Sequence, residues 1–71
     1  MCLAYPGKVV KLEGDTGIVD FGGVRKEVDF SLLDDVSVGD YVIVHAGFAI
    51  QVLDEEEALE MLEIWRKILS S

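Results

Sequence analysis

The sequence predicts a mainly β fold, a small five-stranded barrel followed by a C-terminal amphipathic α-helix. Three observations carry this. Between residues 8 and 53, short runs rich in Val, Ile and Phe alternate apolar with polar residues, the period of a strand with one buried face. Glycine-bearing reversals separate the runs at Gly14-Asp15-Thr16-Gly17, Gly22-Gly23, Gly39-Asp40 and Ala46-Gly47, which is strand-and-turn punctuation. From Asp54 onward the apolar spacing becomes helical.

The first run, residues 8–13, enters after Pro6-Gly7 and places Val10 and Leu12 on one face. Residues 18–21 follow a turn cluster and put Val19 and Phe21 on a common side, completing a hairpin. Gly22-Gly23 supplies the positive φ angles of a tight reversal. The next run, residues 24–30, then carries Val24, Val28 and Phe30 inward and Arg25, Glu27 and Asp29 outward, as an antiparallel sheet with one wet face requires. Residues 31–39 mix Leu32, Leu33 and Val36 with Asp34 and Asp35 and read as a connector with one helical turn. Residues 41–45 and 48–53 are two further strands meeting at Gly47.

Asp54 caps the helix, Glu57 sits at the third helical position of a capping box, and the acids of residues 54–57 favour the positive end of the helix dipole. Arg66 and Lys67 complement the other end, while Ala58, Met61, Leu62, Trp65, Ile68 and Leu69 form one apolar stripe. Five short antiparallel strands bury an inner face best by curling into a partly open barrel of OB-like type, with the helix on its open side. The expected organisation is a single domain, 1–71, with the barrel and N-terminal motif in 1–53 and the helix in 54–69.

With 14 acids against 6 bases, a net charge of −8 and a chain of 71 residues, the composition argues against nucleic acid, since no basic surface is available to displace phosphate counterions. An acidic surface of this kind is either a solvated face or one that steers toward a basic patch on another protein. One cysteine makes no internal disulfide, the chain start lacks the basic and apolar regions of a signal peptide, and no apolar run approaches the ~18 residues of a membrane span. These features lead to the expectation of a cytoplasmic protein, without membrane association.

Chemistry concentrates in the first seven residues, Met1-Cys2-Leu3-Ala4-Tyr5-Pro6-Gly7, which hold the only thiol. Methionine before a small residue is normally removable, and removal would leave Cys2 bearing both the thiol and the free α-amino group, which favours thiolate. A buried small apolar side chain is the ordinary alternative for an unpaired cysteine. His45 is the only histidine. It could partner Cys2 as base or ligand, but a lone histidine at a strand end is more often a solvated or hydrogen-bonded one. A structural zinc site needs three or four ligands at recognisable spacing, and the chain has no second Cys or His pair. What stays open is a shared site, with Cys2 giving one soft thiolate and the other ligands coming from elsewhere. Residues 54–57 are read as a helix start in preference to a hard-metal cluster, and Gly17, Gly22 and Gly23 as turns in preference to a phosphate loop.

Across nearly its whole length, and most specifically in residues 1–9 (Met-Cys-Leu-Ala-Tyr-Pro-Gly-Lys-Val) and 39–49 (Gly-Asp-Tyr-Val-Ile-Val-His-Ala-Gly-Phe-Ala), the chain resembles the HypC/HupF/HybG family of [NiFe]-hydrogenase maturation chaperones. The resemblance implies an OB-like barrel with a terminal helix, and a carrier rather than an enzyme. It implies that Cys2, exposed by loss of Met1, contacts a transient iron centre bearing cyanide and carbon monoxide, Fe(CN)2CO, with His45 beside it. Partner contacts would come from Cys2, Leu3, Ala4, Tyr5, Pro6, Gly7 and His45. The implied partners are HypD, the hydrogenase large-subunit precursor, and an assembly of HypC, HypD and HypE; no structural metal is implied. Tyr5 departs from the family, which usually has Ile or Val there, and its hydroxyl needs a partner if buried. The rival readings are an adaptor whose Cys2 terminus docks without metal, a nucleic-acid-binding barrel disfavoured by charge, and a thiol hydrolase for which no oxyanion-site motif is present.

Overall fold

A computed structural model describes residues 5–70 of the protein. Its elements are β1 (Gly7–Glu13), β2 (Thr16–Phe21), β3 (Val24–Asp29), β4 (Tyr41–His45), β5 (Phe48–Leu53) and α1 (Glu55–Ser70). The strands close into a barrel in the order β1-β2-β3-β5-β4. Closure is the first departure from expectation, because the last seam is parallel: Asp29 of β3 pairs with Phe48 of β5. The hydrogen bond of this seam runs from the Asp29 N–H to the Gly47 carbonyl at 2.9 Å. A strand pair this short seals the barrel while leaving most of the outer edge of β3 unpaired.

The interior is filled by Val9, Val19, Val28, Phe30, Val42 and Ala49, with Leu12, Phe21, Leu33, Val36 and Val44 packed around them. Here the reading of β1 needs correction. Val9, not Val10, is the fully buried residue, because the ladder with β2 slips between Val9 and Lys11. Val10 is the extra residue of a β-bulge, which shifts the alternation by one position. Leu12 consequently keeps its inward place opposite Gly17, so an unbroken period of two gets one end of the strand right and the other wrong. Val24 is also corrected: it is 57% exposed, since it begins β3 far from the single bridge to β5.

Strand β4 is buried on both faces. Val42 belongs to the barrel interior, while its neighbour Ile43 joins Leu53, Ala58, Tyr41 and Met61 in a second cluster beneath the helix. Successive side chains point to opposite faces of a strand, so this double burial explains why residues 41–45 are the most β-rich run of the chain. A register slip between β4 and β5 after Ile43 lets Ala49 face the interior and Leu53 face the helix.

The connector, residues 31–39, contains turns and no helix, correcting the expected helical turn. The Asp40 carboxylate accepts the Ser37 N–H at 2.9 Å, and Leu33 and Val36 seal the barrel beneath it. In α1, the Asp54 carboxylate accepts the Glu57 N–H at 2.9 Å and its carbonyl accepts the Ala58 N–H at 3.0 Å, the expected N-cap. The apolar stripe is only partly used: Ala58 is fully buried, whereas Ile68 and Leu69 are 47% and 70% exposed.

Candidate functional site

The described part of the N-terminal motif is Tyr5-Pro6-Gly7, and each of the three is fixed differently. Pro6 is fully buried. Gly7 opens β1 opposite Val42, where a Cβ would run into Val19 Cγ1 and stand 2.7 Å from Phe21 Cε1. Expected as a strand-entrance marker, Gly7 proves to be a packing residue that lets the backbone touch the core. Tyr5 is half-buried, its ring 5.8 Å from that of Trp65 at an interplanar angle of 51°, a tilted aromatic pair. Its hydroxyl lies over Gly22, where a Cβ would be 2.9 Å away. Cys2, Leu3 and Ala4 lie outside the described residues.

His45 is exposed at the end of β4. It pairs with Phe48 across a two-residue reversal, Ala46-Gly47, in which both residues have positive φ, 54° and 85°. Both-positive φ is the geometry whose twist matches a hairpin, and the alanine holds it at a steric cost usually reserved for Gly or Asn. The register brings Gly7 to Val42 and leaves His45 three residues further along the same strand. Tyr5, Pro6 and Gly7 thus form one anchored segment, and His45 is placed on the adjoining strand with its imidazole in solvent.

Around the anchored segment lie Lys8, Asp20 and Tyr41, for which the sequence suggested no site role. A hollow is lined by Tyr5, Pro6, Lys8, Asp20, Gly22, Gly23, Tyr41 and Leu62, with the Lys8 ammonium 5.9 Å from the centre of the Tyr41 ring, within cation–π range. Asp20 closes the β2–β3 turn, accepting the Gly23 N–H at 2.6 Å, and pairs with Arg25 at 3.6 Å. The one available signal for this grouping was the hydroxyl of Tyr5, which called for a polar or open neighbour without saying which. Among the described residues, no three His, Cys, Asp or Glu side chains gather as a metal site, and no helix is long and apolar enough to cross a membrane.

Fold and site together define a class: a small OB-like barrel with one appended helix, with Tyr5, Pro6 and Gly7 of the N-terminal motif anchored where the first strand begins. The chain belongs to the HupF/HypC family, whose model matches residues 1–65, a span that includes both the N-terminal motif and His45. It is 52% identical over 68 residues to the hydrogenase maturation factor HypC of Synechocystis, covering 87% of this chain and 90% of that protein. With HypC of Cupriavidus necator it shares 48% over 69 residues, covering 96% and 77%. With HypC of Escherichia coli K12 it shares 35% over 69 residues, covering 89% and 77%.

Proposed function

We propose that this protein acts in [NiFe]-hydrogenase maturation as a chaperone and iron carrier, not an enzyme. In this reading it complexes HypD while the Fe(CN)2CO group is assembled and then delivers that group to the hydrogenase large-subunit precursor. The observation that carries the proposal is membership of the HupF/HypC family over residues 1–65, supported by relatives named as hydrogenase maturation factors at up to about half identity.

The chemistry agrees with that reading. Iron here is cargo, a low-valent centre whose π-acceptor ligands suit a soft thiolate. Cys2 supplies one such ligand and a partner supplies the rest, so the cargo can leave; a complete protein cage would retain it. His45, exposed beside the β4–β5 reversal, serves as a positioning or proton-handling group at the same centre. The contacts to HypD come from residues 2–7 and His45.

A pure adaptor, docking through the same terminus without touching metal, is the alternative, and the exposed apolar residues Ile64, Ile68 and Leu69 favour docking in either case. Complementation separates the two. In a host lacking its own family member, wild-type protein is expected to restore active hydrogenase, Cys2→Ala to restore none, and Cys2→Ser to fail although it still binds HypD. Full maturation with Cys2→Ser would leave only the adaptor.

A further inference from the structure

Strand β3 is paired along its whole length on one side and almost nowhere on the other. Against β2 it holds register from Val24 opposite Phe21 to Asp29 opposite Thr16. Among the described residues, its far side meets β5 only at Asp29. Alternate residues of an antiparallel strand turn both N–H and C=O toward the same neighbour. The Asp29 N–H goes to Gly47, away from β2, so Glu27 and Arg25, at the same alternation, present their backbone groups on that open side. Residues 24–27 are all exposed. Lys26 is so although it stands opposite buried Val19, on the face that turns inward. A row of open backbone groups is a template for another strand.

We infer that this edge pairs with the same edge of a second copy, antiparallel about a two-fold axis at Lys26. Charge and register select that occupant. The run Val24-Arg25-Lys26-Glu27-Val28 is complementary to its own reverse: with Lys26 opposite Lys26, each Arg25 faces Glu27 of the other copy, and each Val24 faces Val28. In this register Arg25 and Glu27 exchange both backbone bonds across the axis while their side chains form opposite-charge cross-strand pairs. Sliding by two residues sets Arg25 against Arg25 or Glu27 against Glu27. The net charge of −8 and the meeting of two Lys26 side chains, like charges directly opposite, keep the pairing weak and reversible. The ordinary role of an edge lysine is to block pairing altogether. That role alone would leave self-association indifferent to which of positions 25 and 27 carries which charge.

The test is sedimentation equilibrium of the full chain at about 0.15 M salt, which screens remote charge, with circular dichroism to verify folding. Lys26→Thr removes the like-charge meeting and is expected to tighten dimerisation about threefold or more. In that background, Glu27→Lys and Arg25→Glu should each weaken it about tenfold. An equimolar mixture of the two should associate as tightly as Lys26→Thr, because every altered side chain then faces its opposite charge. Glu27→Lys lowers the net negative charge and would by that alone favour association, so its weakening reports the register. Should Arg25→Glu not fold beside Asp20, the order Lys26→Thr, then added Glu27→Gln, then added Glu27→Lys, from tightest to weakest, carries the test, opposite to the order that net charge gives. Concentration-dependent amide shifts are expected at residues 24–28. Lys26→Thr that stays monomeric at about 1 mM, a mixture no tighter than its components, the reverse order, or shifts confined to other elements would overturn the inference.

Discussion

A methyl group at Gly7 has nowhere to go: it would meet Val19 and Phe21 inside the barrel. Gly7→Ala is therefore expected to destabilise the protein by about 1–3 kcal/mol, the usual cost of overpacking a core, seen as a lower urea midpoint with unchanged slope. Asp29 gives a prediction in pH. The Ser31 hydroxyl, and next its backbone N–H, hold the Asp29 carboxyl below its ordinary value, with the N–H donating to it at 2.8 Å. A carboxyl depressed in the folded state contributes stability above the unfolded pKa and loses it as pH falls through the folded value. Asp29→Asn should therefore flatten the fall in melting temperature below about pH 4 while changing little at neutrality, as a carboxylate in solvent does. At this scale Val19, Phe21 and Val28 were legible from alternation alone. Val9 was not, because a bulge is a backbone event that leaves no side-chain signature in Lys8-Val9-Val10-Lys11.

The helix start was legible because capping chemistry is local: Asp54, three residues before Glu57, specifies a hydrogen bond that the structure contains. Asp54→Ala is expected to cost about 1 kcal/mol and to lower helical circular dichroism, whereas Asp54→Asn should restore most of both. The far end depends on what lies beside it. Glu63 and Arg66 pair through both guanidinium nitrogens facing the carboxylate, one turn from exposed Ile68 and Leu69. The helical period identified an apolar stripe, but a stripe does not state its partner. Its first half packs on β4 and β5 and its middle on Tyr5, and that division is set by the direction of the chain after Leu53, which no local pattern encodes. The connector was misread for a related reason. Leu33 and Val36 resemble a helical pair in spacing, yet each is drawn separately onto the barrel core.

At the scale of the molecule, the five strands of the described residues, in the order β1-β2-β3-β5-β4, give a barrel closed by the parallel Asp29–Phe48 bridge. The strand count, the barrel and the C-terminal helix could be read from periodicity. Closure could not, since it depends on a backbone contact between segments far apart in sequence, Asp29 and Gly47. The candidate site divides in the same way. Cys2 and His45 stood out by residue type and by family resemblance, whereas the anchoring of Tyr5 by Trp65 and Gly22 arises only when turn, helix and first strand are brought together. The reading we propose is of a small acidic barrel in which Tyr5, Pro6 and Gly7 are anchored on the barrel and Cys2 shares a metal with a partner's ligands. The direct test is infrared spectroscopy with iron analysis on the complex with HypD, purified anaerobically with wild-type protein and with Cys2→Ala. If Cys2 is a ligand, cyanide and carbon monoxide bands and bound iron are expected in the wild-type complex, and their loss or displacement with Cys2→Ala. Identical bands and iron content in the two complexes would contradict it.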